Sequence, residues 1–379
     1  MKHYLLSLFL LIGSQPLWAQ TPINRNIELH STVSAETRSK LLDALDTLLV
    51  HINHGKPLPD EISPLGATLS LSTYKDLKPI RTNGKEPDYY KPQLINLYPV
   101  KDNQYIISLA FINPAATKDQ LRAVINFMAE LDNNRVIFSI PLYYLTKNWK
   151  TTKVGNITYH YLDEVNIERA KIFDKKNTQI AQKLGLQPEH FDFYLCNNYQ
   201  EILRLLGYEY DSESAGQVTD GYGPDAGTIF SIMHNEDFSH DVFHYYAGKI
   251  RKNTRNSAAE EGIAYSWGNA YYTDDNGEMI SQRQLVPVLK QYLQKHPQTS
   301  LLELFSKNPM IFEHQTKVRS LISSLICDEV ERRKGIAGIK ELIDCGWGDD
   351  NYFKVITEIT GINTANFEKR VMELINNYK

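Results

Sequence analysis

The chain has 379 residues, 42% of them hydrophobic and 23% charged, with a formal net charge of −4. Those values exclude a disordered or collagen-like polymer, and they leave no basic surplus of the kind that marks a nucleic-acid partner. The length is that of two or three domains.

Residues 1–20 read as a signal peptide rather than as part of the fold. Lys2 gives a positive start, 4–12 is an apolar run, and Leu17, Trp18 and Ala19 precede Gln20. The run is too short to span a membrane, and no later window offers 18 apolar residues. The mature protein is therefore expected to be exported, secreted or periplasmic, without a membrane span. Three cysteines remain, Cys196, Cys327 and Cys345. Export would permit a Cys327–Cys345 disulfide; three buried thiols are the preferred reading. The absence of C-x-x-C excludes a cysteine-only metal site.

Residues 21–155 read as an α+β domain, a helix on an antiparallel sheet. Ser34 can cap a helix carrying Leu41, Leu42, Leu45, Leu48, Leu49 and Ile52 at helical spacing. Extended stretches follow at 105–109, 136–140 and 151–161, with a second helix expected over 120–131. His51 and His54 stand three residues apart on the first helix and read as a solvated pair.

Residues 156–379 change pattern. A strand over 157–161 leads to a helix over 166–184, stopped by Gly185. A strand over 191–195 and a helix over 199–206 come next. The glycine-rich stretch 221–227 reads as a loop. Its spacing is not G-x-G-x-x-G and it precedes a strand, which excludes a dinucleotide site. A strand over 228–233 follows. Beyond Glu236 the pattern is mainly helical, apart from a turn at Asp274, Asp275, Asn276 and Gly277.

The segment His240-Asp241-Val242-Phe243-His244 carries the chemistry. On a helix, His240 and His244 project from one face, one turn apart, and both can reach one ion. Two histidines satisfied within a helix pair are the plain alternative. Seventeen residues on, Ala258 to Tyr265 reads as the start of a second helix with adjacent carboxylates, Glu260 and Glu261. Those two are about 100° apart around its axis, so only one can face a shared site. Zinc held by two histidines takes a third protein ligand and keeps one position for water.

This segment resembles the gluzincin zinc metallopeptidases, and most of all the peptidase MA-like family. The resemblance covers roughly 156–379, including the strands before the His pair, the late helix 318–333, the stretch 335–342 and the closing unit with Tyr352, Phe353, Gly361 and Phe367. It implies a mainly helical metallopeptidase domain with a small edge-stranded sheet. In that family the third ligand precedes Gly in E-G-x-A, which matches Glu261-Gly262-Ile263-Ala264. His240, His244 and Glu261 are then the zinc ligands, with Glu260 solvated or supporting them from behind. The strand 228–233 becomes an edge that pairs with the substrate backbone. The implied partner is a peptide or protein substrate.

The chain departs from the family at the general base. H-E-x-x-H is replaced by H-D-x-x-H, so Asp241 holds the position of the glutamate that takes a proton from water. The acid is one methylene shorter, and misplacement on that scale costs about 10²-fold in rate. Two readings follow: a peptidase with Asp241 as base, or a zinc-containing peptide-binding protein or scaffold without turnover. Among the neighbours, Glu236 reads as a cap or a solvated side chain, with action near the metal the lesser reading, and His234 as a strand-end residue, with a fourth ligand that would make the zinc structural the lesser reading. Tyr245, Tyr246, Tyr271 and Tyr272 are candidates for stabilising an oxyanion, with core or rim packing the simpler role. Arg251, Lys252 and Arg255 read as a solvated loop, with a substrate clamp as the lesser reading.

Overall fold

A computed structural model describes residues 21–29, 32–55, 60–86, 88–118, 120–133, 135–217, 219–232, 235–270, 279–313 and 316–378. The expected signal peptide, His234, Tyr271, Tyr272 and the 274–277 turn lie outside the described residues. The chain forms two compact units: Met1–Ile140 with Gly207–Ala215, and Pro141–Leu206 with Gly216–Lys379.

In the first unit, helix α1 (Ala35–His54) starts where the Ser34 side chain accepts the Thr37 N–H. It buries its six expected apolar residues and ends at Gly55, whose φ of 64° suits a residue without Cβ. His51 is half-buried, its Nδ1 2.8 Å from Glu61 Oε2, and His54 Nδ1 bonds the Val50 carbonyl. His51 is therefore tied to Glu61, while His54 is exposed as expected of a solvated side chain. Helices α2 (Ala67–Lys75) and α3 (Leu77–Ile80) precede an antiparallel sheet of β1 (Lys91–Lys101), β2 (Gln104–Ile112), β3 (Leu121–Asp132) and β4 (Arg135–Ser139).

Strand β3 replaces the helix expected over 120–131. Its apolar run is nearly continuous, so it satisfies a helical and an alternating pattern alike. The decision comes from tertiary pairing. β3 is hydrogen-bonded on both sides, with Phe127 opposite Ile107 and Glu130 opposite Ile137. Ala123, Ile125, Phe127 and Ala129 are all buried.

The second unit opens with α4 (Leu142–Leu145), β5 (Lys150–Val154), β6 (Ile157–Tyr161), α5 (Ile167–Leu184), β7 (Phe191–Leu195) and α6 (Tyr199–Leu205). The chain then returns to the first unit as β8 (Tyr208–Asp211), which pairs with β3 and holds Arg122 against Asp211. It re-enters the second unit as β9 (Gly221–Asp225) and β10 (Thr228–Ser231). The second sheet runs β5-β6-β7-β10-β9, with β6, β7 and β10 parallel and the two outer strands antiparallel to their neighbours.

Three expectations change here. The glycine-rich stretch is not a loop but β9, paired with β10 from Gly221 opposite Ser231 to Asp225 opposite Thr228. The strand beginning at Thr228 is consequently an inner strand, and β9 takes the last place in the order. The expected boundary at 155/156 falls inside the β5–β6 hairpin, where a tight turn at Gly155 joins two strands of one sheet.

Among the described residues, seven helices follow: α7 (Ser239–Ile250), α8 (Ser257–Trp267), α9 (Gln282–Lys295), α10 (Leu301–Lys307), α11 (Val318–Ile343), α12 (Asp349–Thr360) and α13 (Phe367–Asn377). α11 is interrupted at Gly335, which has φ 62° and ψ −154°. α8 packs on α7 and against α11. The contact with α11 is backbone-close at Gly262, where an added Cβ would lie 2.7 Å from Ser323 Cβ and 3.0 Å from Cys327 Sγ. That approach explains the glycine following Glu261. The three cysteines form no disulfide; Cys196 and Cys327 are buried and Cys345 half-buried. Among the described residues, no helix is long and apolar enough to cross a membrane.

Candidate metal centre

The first turn of α7 is held by a buried polar network. Asp237 accepts the Ser239 N–H at 2.9 Å, the Lys176 ammonium at 2.6 Å and the Asn269 side-chain amide at 2.8 Å. Asn269 is thereby fixed just past the end of α8, and its carbonyl accepts from His240 Nδ1 at 2.9 Å. Gly268 permits this approach, since a Cβ there would stand 2.9 Å from the His240 nitrogen. α8 begins at Asn256, whose side chain accepts the Ala259 N–H and donates to the carbonyls of Gly346 and Gly348. The helix bearing the carboxylates is thus anchored at both ends.

One turn along α7, His244 Nδ1 lies 3.3 Å from Glu260 Oε2. Glu260 is fully buried. It also pairs with Arg251 and, at 3.2 Å, with Arg255 Nε. Each Nδ1 therefore faces an acceptor, a carbonyl for His240 and a carboxylate for His244. In the neutral rings the proton is assigned to Nδ1, which makes both Nε2 atoms acceptors that point toward each other. Those two atoms are 3.2 Å apart. Glu261 Oε2 is 3.6 Å from His240 Nε2, and Glu261 Oε1 is 3.5 Å from His244 Nε2.

Two imidazole acceptors and a carboxylate packed this closely favour a positive charge among them. The spacing itself fits one. In a tetrahedral site with bonds of about 2.0–2.1 Å, ligand atoms stand roughly 3.3 Å apart. His240, His244 and Glu261 can therefore hold a metal ion. Arg255 supplies positive charge at the same place, its Nη2 donating to Glu261 Oε1 at 2.6 Å and to His244 Nε2 at 3.3 Å.

The protonation equilibria follow this packing. Burial, reinforced by His244, lowers His240 to about 4. Burial also works to lower His244, but hydrogen bonds to Glu260 and Glu261 outweigh it and raise the group above its ordinary value. Burial alone would raise Glu261; the two histidines and Arg255 reverse that and bring it down to about 2. Glu260 is likewise lowered against its burial by His244 and Arg251. Asp241 goes the other way. Burial, with Glu261 adding to it, lifts its carboxyl to about 7, while His244 and Arg255 oppose the shift.

The expected neighbours divide. Glu236 is 5% exposed and accepts the Asn166 N–H at 2.6 Å, so it caps α5 instead of being solvated. Tyr245 donates to Glu189, and Tyr246 donates to Asn177 Oδ1 at 2.7 Å. Both hydroxyls are thus engaged away from the cluster. Lys252 is exposed and tied through its backbone to Asp344. Arg251 and Arg255, expected to be a solvated loop, are the counter-charges of Glu260 and Glu261.

Sequence reasoning missed Asn269, Asp237 and the two arginines. Asn269 acts through its backbone carbonyl, which no side-chain pattern reports. The run Asn235-Glu236-Asp237 before the helix was the one visible signal, since such residues favour helix starts. A cleft of about 610 Å³ opens beside Glu261, lined by Arg255, Ser257, Arg319, Trp347 and Asp349 among others. No known protein-family profile matches the chain, and no curated protein sequence matches it.

Proposed function

We propose that the second unit is a zinc-dependent peptidase of the gluzincin kind, with His240, His244 and Glu261 as ligands and Asp241 as general base. The observation that supports it is the pair of Nε2 lone pairs 3.2 Å apart, each fixed by an acceptor behind its Nδ1. Two imidazoles and one carboxylate are a donor set suited to zinc. A bound zinc would act as a Lewis acid and lower the pKa of water at the remaining position.

The chain's own residues do the rest. Glu260 and the Asn269 carbonyl keep both imidazoles in the ligating tautomer. Asp241 stands in the first turn of α7, one residue past the first ligand, and its half-buried carboxyl can take a proton from the attacking water. The cleft beside Glu261 gives room for a substrate residue. β9, the last strand in the sheet order, is the place where an extended peptide would add to the sheet; Pro224 withholds one donor from that strand.

The rival reading is a zinc-containing peptide-binding protein without turnover, favoured by the shorter Asp241. Incubation of the full chain with a broad peptide library, with and without chelator, separates them. The peptidase reading expects chelator-sensitive cleavage that Asp241→Ala abolishes while zinc stays bound. Absence of cleavage by the zinc-loaded wild type and by Asp241→Glu would favour the binding protein.

A further inference from the structure

Strands β6, β7 and β10 are parallel, so their carboxyl ends share one side of the second sheet. Crevices at the carboxyl ends of parallel strands are where such sheets bind ligands. A cleft of about 370 Å³ lies there, with Ser231, Cys196, Arg169, Glu236, Asp163 and Glu164 in its wall. None of these residues belongs to the metal cluster, and the volume suits a ligand of small-molecule size.

Glu236 is the feature that needs an account. It is 95% buried, and its backbone is pinned where the Tyr159 hydroxyl donates to its carbonyl at 2.9 Å. Oε1 accepts the Asn166 N–H, but among the described residues Oε2 has no hydrogen-bond partner. Among the described residues, the cation paired with it, Arg169 Nε, stays 4.0 Å away, too far for a hydrogen bond. A sealed carboxylate oxygen left unsatisfied costs about 1–3 kcal/mol or more, and native proteins seldom carry one without a reason.

The surroundings indicate which partner is missing. Three carboxylates, Asp163, Glu164 and Glu236, face one guanidinium, Arg169. An anion is disfavoured by that balance. A metal ion is poorly served as well, because among the described residues only the His240, His244 and Glu261 atoms converge closely enough to hold one. Cys196 is 5% exposed, and burial pushes its thiol far up, so it stays protonated and serves as wall. What remains is a compact cation that donates hydrogen bonds. Asp163 and Glu164 lie on an exposed loop at the cleft mouth and would attract it.

We propose that this cleft is a second binding site, for a small aliphatic molecule carrying a primary ammonium group, with Glu236 Oε2 as its anchor. The ammonium donates to Oε2, and a short movement of the exposed loop around Asp163 gives it access. The site is independent of the metal-centre reading.

Calorimetric titration of the full chain with 1,5-diaminopentane tests it, with 1,5-pentanediol as the neutral match of the same length. The diamine is expected to bind saturably and the diol not at all. Chelator should leave the diamine affinity unchanged. Glu236→Gln keeps an acceptor for the Asn166 N–H and should weaken binding about 10-fold or more, the worth of one charge-assisted hydrogen bond. The exposed double variant Asp163→Asn/Glu164→Gln, which leaves the core untouched, should weaken it by a few-fold and relieve its salt dependence. No saturable binding of the diamine, equal binding of the diol, or loss of binding with chelator would overturn the proposal. So would undiminished affinity in Glu236→Gln, which would mean that solvent alone serves Oε2.

Discussion

Glu260 and Glu236 are both buried carboxylates close to the ends of α7, and the chain treats them in opposite ways. Glu260 receives His244, Arg251 and Arg255, so its pKa falls despite full burial. Glu236 receives one backbone N–H and a distant guanidinium, and burial raises its pKa. Burial is common to the two; the number of converging donors is what differs. A carboxylate saturated with donors is a permanent support for another group, here the second imidazole. A buried carboxylate with one oxygen unpaired is an acceptor without a donor.

The largest expected effect lies at the saturated end. Adding zinc at 100 times its Kd should stabilise the wild type by about 2.7 kcal/mol, seen as a rise in melting temperature. His240→Ala and His244→Ala should lose that response altogether. Glu260→Ala should cost about 1–3 kcal/mol of stability in urea unfolding, because it leaves the half-buried Arg251 without its partner. Glu261→Ala should lose the metal with a much smaller loss of stability. If Glu260→Ala loses the metal and Glu261→Ala keeps it, the third ligand is Glu260 and the contrast between adjacent carboxylates is reversed.

Gly262→Ala should cost about 1–3 kcal/mol, since the added methyl meets Ser323 and the α8–α11 contact must open. The smallest effect concerns Glu236 and pH. Its folded pKa is raised above the ordinary 4.5, so its contribution is fully present below about that pH and is lost as pH rises through the folded value. Glu236→Gln removes this dependence. Its stability relative to wild type should therefore improve between pH 4 and pH 7 in paired urea titrations. A constant difference across that range would contradict the assignment.

Much of the centre was legible because it uses helix periodicity. His240 and His244 at i, i+4, and Glu261 before a glycine, need only local geometry to be placed. α1, α5 and β7 were equally plain, since capping residues and one-sided apolar faces are local signals. What resisted reading depends on distant pairing. The apolar run of β3 fits either period until β2 and β4 flank it. Gly221 to Asp225 becomes a strand only by pairing with β10, which then ceases to be an edge. Asn269 contributes a carbonyl, and Arg251 and Arg255 gain their meaning only from Glu260 and Glu261.

The most direct test is metal content. Purified full-length protein would be stripped with chelator, incubated with excess zinc, dialysed, and analysed by elemental mass spectrometry beside His240→Ala and Glu261→Ala. The account predicts one retained zinc per chain in the wild type and none in either variant. A wild type that retains no zinc, or variants that retain as much as the wild type, would contradict it.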